Sequence, residues 1–402
     1  MQPVLVDNYP HVMIYEVAEK SYFYQLGPAI LQLDLKGVVD FFLKDDNLEE
    51  IMYNGPAYPI RIYHKKYGFC DTNVRINEIA AKSLIDEVAA LNQKTITPQN
   101  PTLDGTLMDG SRVNITIPPA SYGGSTITIR KFTQKILNII DLMRSNVLTS
   151  EVAAFLWTVV EGLSFKPSNI IFAGGTGSGK TTTLNALLMF MPIDSRIITI
   201  EDTMELRLKQ GNVVRMLANE EQGVTMDALL NNALRMRPDR ILVGEVRGPE
   251  ALTLFNAMNT GHEGCMGTLH ANDVRHVLVR VTSPPMNVPE NLVSALDLVV
   301  MQERVSTLSG HFRRITEVTE LSGAEEGNIR FNTLYKWNPS KNKLLETGIP
   351  SKLRTRISQA AGISIKEFDK VLKKRIKVLE KLLKNKADTE TVMQAISDNR
   401  FK

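Results

Sequence analysis

The chain has 402 residues, of which 43% are hydrophobic and 23% are charged, and its formal net charge is +3. At about 150 residues per domain this length predicts two or three compact domains, and the composition excludes long disorder, a collagen-like chain or a heptad rod. Two cysteines, Cys70 and Cys265, are too few for a disulfide framework or a four-thiolate zinc site, which favours a reducing compartment.

Membrane-spanning and secretory segments are not predicted. The first residues lack the basic start and apolar run of a signal peptide, and no apolar stretch reaches the roughly 18 residues that a spanning helix needs. The charge is uneven, because residues 363–386 hold eight lysines and one arginine against three acidic residues, which leaves the remainder slightly acidic. That balance argues against a globally basic nucleic-acid binder.

A small α+β domain is predicted over residues 39–135, after an N-terminal extension over residues 1–38. Its elements are a helical stretch in VVDFFLKDDNLEEI, a strand-like alternation in PIRIYHKKYG and an Ala-rich helix in INEIAAKSLIDEVAALNQ. RVNITIPP and STITIRKF alternate apolar and polar residues and are predicted as two further strands. By the two-residue period, Arg112 and Arg130 lie on the face opposite the apolar residues.

Residues 136–149 are predicted as a linker, and residues 150–345 as an α/β domain. Six short apolar runs, each followed by a turn or a helix, suit strands buried on both faces of a mostly parallel sheet. The runs are NIIFA, RIITI, NVVRM, RILVG, CMGTLH and LDLVVM. The predicted covering helices are TTTLNALLMFM, TMDALLNNALRM and PEALTLFNAMNTG.

The C-terminal part is predicted as two antiparallel strands and a helical tail over residues 346–402. The strands are RRITEVTEL and IRFNTLYKW, split by the turn-rich GAEEGN. In the tail, Ser364 and Glu367 have capping-box spacing before an apolar stripe at positions 365, 368, 372, 376, 379 and 383. This lysine-rich helix either packs on its own core, which we favour, or lies on a membrane surface.

GGTGSGKT, directly after the run NIIFA and before a helical pattern, is a phosphate-binding loop in its strand-to-helix context. Glycines let the backbone wrap closely round phosphate oxygens with its amides pointing inward. We expect Lys180 to neutralise the β- and γ-phosphates of ATP and Thr181 to hold magnesium through its hydroxyl. The predicted nucleotide-binding residues are Gly174, Gly175, Thr176, Gly177, Ser178, Gly179, Lys180, Thr181 and Thr182.

Carboxylates follow two later strands, at the sheet edge where open α/β sheets place their ligands. RIITI ends in Glu201 and Asp202 with Glu205 beyond, and RILVG is followed by Glu245. We expect Glu245 to orient and deprotonate the attacking water or to support magnesium, and Glu201 and Glu205 to hold magnesium through its waters. A solvated acidic loop is the plain alternative for either site alone.

Four ordered motifs resemble a known family. GGTGSGKTTT, ITIEDTMEL, RMRPDRILVGEVRG and MNTGHEGCMGTLHAN resemble the Walker A motif, Asp box, Walker B motif and His box of the type II/type IV secretion ATPase superfamily. The resemblance spans about residues 35–304. It implies a RecA-like P-loop core and a homo-hexameric, magnesium-dependent ATPase that drives filament assembly or export.

Site roles follow from the resemblance residue by residue. The Walker B glutamate corresponds to Glu245, the Asp-box acids to Glu201 and Glu205, and the His-box histidine to His270. From its sequence position alone, a lone strand-end His270 is better explained as a structural hydrogen-bonder. Arg112 and Arg130 resemble the N-domain arginines that complete a nucleotide site, where a solvated surface pair is otherwise the simpler interpretation.

The resemblance also implies a cellular location and a partner, and it leaves two alternative functions open. It implies a cytoplasmic protein, peripheral at the inner face of the cell membrane, with a polytopic membrane platform protein as partner. The near-neutral charge and the lack of a zinc finger or of aromatic residues interleaved with basic ones predict no nucleic-acid partner. GEVRG, and GHEGCMGTLHAN followed by SPPMNVP, look most like the archaeal pilus, archaellum and Tad-like branch. A RecA-like nucleic-acid translocase and a non-catalytic nucleotide-binding scaffold are the alternatives.

Overall fold

The computed structural model describes residues 3–33, 35–132, 137–307, 310–325 and 328–401. Over these residues the chain has a mixed α/β fold with two nine-stranded sheets. Each sheet belongs to one of two compact units, Met1–Lys135 and Ile136–Lys402. The predicted α/β class is confirmed at this level.

The N-terminal unit packs three helices against a largely antiparallel sheet, whose order is β1-β2-β3-β6-β5-β4-β9-β8-β7 with β3 and β6 parallel. Its strands are β1 (Val4–Tyr9), β2 (Val12–Ala18), β3 (Ser21–Leu26), β4 (Leu48–Tyr53), β5 (Pro59–His64), β6 (Gly68–Arg75), β7 (Thr102–Thr106), β8 (Arg112–Thr116) and β9 (Thr126–Arg130). Its helices are α1 (Pro28–Leu31), α2 (Leu35–Lys44) and α3 (Glu78–Leu91).

Two elements of this unit differ from the prediction. The segment predicted as an N-terminal extension supplies β1–β3 to the same sheet, because Val12, Ile14 and Tyr24 are buried in the core shared with β4 and β5. The predicted helix in VVDFFLKDDNLEEI ends at Lys44, and its last residues begin β4. Asp45 Oδ1 accepts a hydrogen bond from the Asn47 amide at 2.9 Å, an Asx turn that competes with the helix.

The C-terminal unit contains a strand at each of the six predicted apolar runs, but NVVRM is not buried on both faces. It forms an edge strand whose residues are exposed or half-buried, because it has a neighbouring strand on one side only. Its strands are β10 (Ile170–Ala173), β11 (Arg196–Glu201), β12 (Asn212–Leu217), β13 (Arg240–Val243), β14 (Met266–Leu269), β15 (Leu298–Thr307), β16 (Gly310–Glu325), β17 (Asn328–Asn338) and β18 (Lys343–Glu346). Its helices are α4 (Ile139–Arg144), α5 (Ser150–Glu161), α6 (Lys180–Leu187), α7 (Met226–Ala233), α8 (Glu250–Asn259), α9 (Val274–Thr282), α10 (Glu290–Val293), α11 (Lys352–Ala360), α12 (Ile365–Lys384) and α13 (Thr389–Asp398).

The sheet order is β12-β11-β13-β14-β10-β15-β16-β17-β18, parallel from β12 to β15 and antiparallel from β15 to β18. Successive residues of β10 are buried on opposite faces of the sheet. Ile170 and Phe172 belong to one hydrophobic core, and Ile171 and Ala173 belong to the other. Burial on both faces explains why β10, β11, β13 and β14 are almost continuously apolar. The predicted turn GAEEGN is shorter than expected, because β16 runs to Glu325 and β17 begins at Asn328; Glu326 and Gly327 lie outside the described residues.

The segment predicted as a linker, residues 136–149, contains α4, whose Ile139 and Ile140 are fully buried. Asn138 and Asp141 form a capping box at its start. The short apolar run LNIIDLM therefore begins the core of the unit rather than bridging two domains.

Helix α12 packs on the core of its own unit, as favoured from the sequence. Ser364 and Glu367 form the predicted capping box, and Phe368, Leu372 and Leu379 are buried in the same core as α5. Ile365, placed in the apolar stripe, is 43% exposed. The eight lysines of residues 363–386 are all exposed, whereas Arg375 points inward.

Candidate functional site

The phosphate-loop residues connect β10 to α6. Gly177 and Gly179 have φ angles of +70° and +92°, which side chains rarely adopt, and Gly179 provides the N-cap of α6 without a side chain that could satisfy the first amides. The start of α6 therefore presents uncapped amides and a positive dipole end, the arrangement that binds phosphate. Thr181 and Thr182 lie in the first turn and are partly exposed.

Lys180 contacts the loop that it follows. Its Nζ donates hydrogen bonds to the carbonyl oxygens of Gly174 and Gly175, both at 2.9 Å, and lies 3.5 Å from Nδ1 of His270. The other ring nitrogen, Nε2 of His270, is 3.6 Å from Oε1 of Glu245. The ends of β10, β13 and β14 thus bring together three residues that are far apart in sequence.

His270 lies between a cation and an anion. Partial burial lowers its pKa below the ordinary value of 6.5, and Lys180 and Arg280 act in the same direction, whereas Glu245 opposes them. The ring is therefore neutral at pH 7. An ammonium beside Nδ1 and a carboxylate beside Nε2 favour the tautomer that carries its proton on Nε2.

Glu201 lies in a different environment from the one predicted. Its side chain is fully buried at the end of β11, and Oε1 accepts hydrogen bonds from the amides of Glu205 and Leu206, both at 2.8 Å. Burial raises the pKa of this carboxyl. The carboxylate holds the backbone of the loop after β11, so its visible role is to position that loop.

Glu205 is partly exposed and is tied to the phosphate-loop helix through its backbone. Asn185, on α6, donates to the carbonyl oxygen of Glu205 at 2.9 Å and accepts from the amide of Arg207 at 2.8 Å. A second link reaches the loop after β13, where Arg247 is 3.0 Å from Asp202. Side chains therefore connect the loop after β11 to helix α6 and to the loop after β13.

Arg112 and Arg130 belong to the N-terminal unit. They lie directly opposite each other on β8 and β9, and the intervening residues alternate between buried and accessible. Arg112 is partly buried and Arg130 is exposed, which confirms their predicted place on the face opposite the apolar residues. Their part in a nucleotide site stays a prediction.

Magnesium is the metal that the predicted site residues imply, and their chemistry suits it. The candidate donors are hydroxyl and carboxylate oxygens, the ligands that magnesium prefers. Within the described ranges no group of three His, Cys, Asp or Glu side chains is arranged to hold a metal. Thr181 and Glu245 offer hydroxyl and carboxylate oxygens on partly exposed side chains. Glu201 is less suited, because Oε1 is occupied by two amides.

Two residues that bond to the phosphate loop belong to no sequence motif from which this contact could be predicted. Gln302 Nε2 donates to the Ser178 carbonyl oxygen at 2.9 Å, and Arg313 Nε donates to the Gly177 carbonyl oxygen at 3.0 Å. Both come from the β15–β16 hairpin, more than a hundred residues after the loop. Only the strand pairing brings them there.

Comparison with known proteins identifies relatives of this chain. The model of the family described as type II/IV secretion system protein matches residues 62–401. The protein MJ0781 of Methanocaldococcus jannaschii is 30% identical, over 87% of this chain and 73% of its own. The conjugal transfer protein TrbB of Rhizobium radiobacter is 33% identical, over 70% of this chain and 86% of its own.

A solved structure has a similar fold. The pilus retraction motor PilT with bound ADP superposes with a TM-score of 0.52 at 19% identity, over 90% of this chain and 97% of that one. This likeness extends over both units, and the family match covers most of the sequence. The chain belongs to the type II/IV secretion system protein family of secretion ATPases.

Proposed function

We propose that this protein is an ATPase motor, which hydrolyses ATP to ADP and phosphate to drive assembly or export of type IV pilus-like filaments or secreted substrates. The observation that carries the proposal is the convergence of Lys180, His270 and Glu245 beside a phosphate loop that opens onto an uncapped helix start. The family match, the conjugal transfer relative and the structural likeness to a pilus motor support the same activity.

The nucleotide occupies the loop of residues 174–182 in this proposal. Lys180 exchanges its bonds to two loop carbonyl oxygens for bonds to phosphate oxygens, because phosphate is the stronger acceptor for an ammonium. Glu245 accepts a proton from the attacking water. Neutral His270, whose Nε2 is 3.6 Å from Oε1 of Glu245, presents its N–H as a hydrogen-bond donor next to that carboxylate. Bound magnesium supplies positive charge at the phosphate oxygens.

A RecA-like core in residues 150–345 is part of the proposal. The phosphate-loop strand β10 lies between β14 and β15, and β13, which precedes Glu245, is separated from β10 by β14. That order brings Glu245 and His270 to one edge beside Lys180. The end of this core at residue 345 remains a prediction.

We further propose a homo-hexameric ring whose sites are completed by Arg112 and Arg130. Charge that develops on the transferred phosphoryl group is stabilised by an added arginine, which contributes on the order of 10³- to 10⁵-fold in rate. Two arginines facing each other on β8 and β9, accessible on the polar face of their sheet, are suited to this role. Either alanine variant should bind ATP and turn it over very slowly, and specific activity should rise with protein concentration as rings assemble. Equal turnover by a stable monomer would refute the ring requirement.

A peripheral position at the inner face of the cell membrane, next to a polytopic platform protein, completes the proposal. No described helix has the length and apolarity to cross a bilayer, and the exposed lysines of α12 suit an anionic lipid surface. Lys373→Glu/Lys377→Glu/Lys381→Glu should abolish flotation with anionic vesicles while the melting temperature stays unchanged. Unchanged flotation of this variant would exclude the α12 face as the lipid contact.

The ATPase itself is tested with two substitutions. Lys180→Ala should abolish binding of a fluorescent ATP analogue, whereas Glu245→Gln should bind it and release no phosphate. Lys166→Ala removes a partly exposed lysine before β10 and serves as the matched control. Near-normal phosphate release by Glu245→Gln would exclude this residue as the base, and absence of ATP binding by the unmodified chain would refute the proposed function.

A further inference from the structure

The phosphate loop contacts the β15–β16 hairpin along its outer side. β10 and β15 pair in parallel with Ala173 opposite Met301, so Gly174 and Gln302 are the next residues along the two strands. Their backbones approach so closely that a Cβ on Gly174 would collide with the carbonyl oxygen of Gln302. The first glycine of the loop is therefore required by the neighbouring strand, whatever the phosphate itself demands.

Two side chains of the hairpin bond to successive loop carbonyls. Gln302 is 1% exposed and donates through Nε2 to the Ser178 carbonyl oxygen at 2.9 Å, while Arg313 donates through Nε to the Gly177 carbonyl oxygen at 3.0 Å. A Cβ on Gly179 would lie 2.9 Å from Nε2 of Gln302 and 3.1 Å from Cδ of Arg313. The hairpin thus covers the outside of the loop over three consecutive residues.

The direction of these bonds determines what they do. A phosphate is bound by loop amides that point inward. The carbonyl of the preceding residue belongs to the same planar, trans peptide group as that amide, so it must point outward. Gln302, which holds the Ser178 carbonyl outward, therefore holds the Gly179 amide toward the phosphate. Arg313 instead fixes the peptide group between Gly177 and Ser178, whose amide donates to the Gly175 carbonyl oxygen at 3.4 Å within the loop. Gln302 is the stronger of the two, because it is buried and water cannot replace it.

We propose that Gln302 and Arg313 are positioning residues for nucleotide binding, which keep the phosphate loop in its anion-binding conformation from outside. The inference rests on the proposed ATPase function and deepens it, since neither residue belongs to any of the four motifs. It predicts that the loop loses affinity for ATP when the hairpin donors are removed, although no atom that touches the nucleotide has changed.

The test compares two buried glutamines in the full-length protein. Gln302→Met keeps nearly the same volume but removes the donor. Gln210→Met does the same to a glutamine that is 8% exposed and donates once, to the Leu188 carbonyl oxygen at 3.0 Å, away from the phosphate loop. Dissociation constants for a fluorescent ATP analogue, kcat and KM for ATP, and melting temperatures are measured for both.

Gln302→Met should raise the dissociation constant and KM for ATP roughly tenfold, with a smaller change in kcat, whereas Gln210→Met should change them less than about twofold. Arg313→Ala should weaken binding less than Gln302→Met, and Arg313→Lys should restore most of it, because an ammonium can still donate to Gly177. Equal effects of the two glutamine variants, or an unchanged dissociation constant in Gln302→Met, would overturn the inference while ATP binding by the unmodified chain upholds the proposed function. If the unmodified chain binds no ATP, both fall together.

Discussion

Replacing Arg375 by Met is expected to destabilise the C-terminal unit strongly. Arg375 projects from α12 into the core, where it is 1% exposed and pairs with Glu161 of α5, which is fully buried. Its guanidinium also donates to Thr158 Oγ1 at 2.9 Å and lies 4.6 Å from the ring centroid of Trp157. The substitution keeps the apolar stem and leaves the Glu161 carboxylate without its main partner.

The size of the effect follows from what remains around Glu161. Removing one partner of a buried ion pair typically costs about 3–5 kcal/mol. Arg400 Nη1, 3.8 Å from Glu161 Oε1, and the Phe401 amide at 3.3 Å compensate in part, so we expect about 3 kcal/mol. For a unit of this size that corresponds to a drop in melting temperature of roughly 6–12 °C.

Urea unfolding of the full chain, followed by circular dichroism, measures this loss. Arg144→Met, which removes the partly exposed i,i+3 pair with Asp141, is the matched control and should cost less than about 1 kcal/mol. Glu161→Gln/Arg375→Met should recover most of the lost stability, because it removes the stranded charge. A loss below about 1 kcal/mol in Arg375→Met, or no recovery in the double variant, would refute the reasoning.

Three further outcomes are expected. Glu201→Ala should lower the free energy of unfolding by about 2–4 kcal/mol, because the buried amide of Leu206 and the partly buried amide of Glu205 lose their acceptor. Glu201→Gln keeps an oxygen there and should lose much less, and equal losses in urea unfolding would contradict this. Burial and nearby cations lower the pKa of His270, so its contribution to stability is complete above pH 6.5 and is lost as the pH falls toward the lowered pKa. The acid limb of kcat/KM should therefore change in shape in His270→Asn and stay unchanged in the surface variant His276→Asn. Deleting residues 363–402 exposes the α5 face that α12 covers and should lower the melting temperature by many degrees; normal melting with loss of vesicle binding would instead favour the membrane role of this tail.

Most of the C-terminal sheet could be predicted because burial on both faces leaves a strong sequence signal. Each of β10, β11, β13 and β14 is a short apolar run bounded by a turn or a helix start, and few other structures have that pattern. The sequence does not predict the N-terminal strands β1–β3, because half-buried strands contain many exposed residues and their pattern resembles that of an irregular tail. The charged sequence DDNLEE is compatible with a longer helix α2, but the helix ends at Lys44 because Asp45 forms a local turn with the Asn47 amide.

The sequence by itself determined that the glycine-rich loop joins a strand to a helix, that carboxylates follow two strands and that Arg112 and Arg130 share a face, because each depends on local spacing or on the period of one element. Only the tertiary structure decided that Glu201 is buried against backbone amides while Glu245 stays partly exposed beside His270, since two strand-end glutamates look alike until their loops are packed. It likewise decided that Gln302 supports the loop and that Arg375 reaches a buried carboxylate. Contacts between residues more than a hundred positions apart depend on strand order and helix packing, and no short stretch of sequence encodes them.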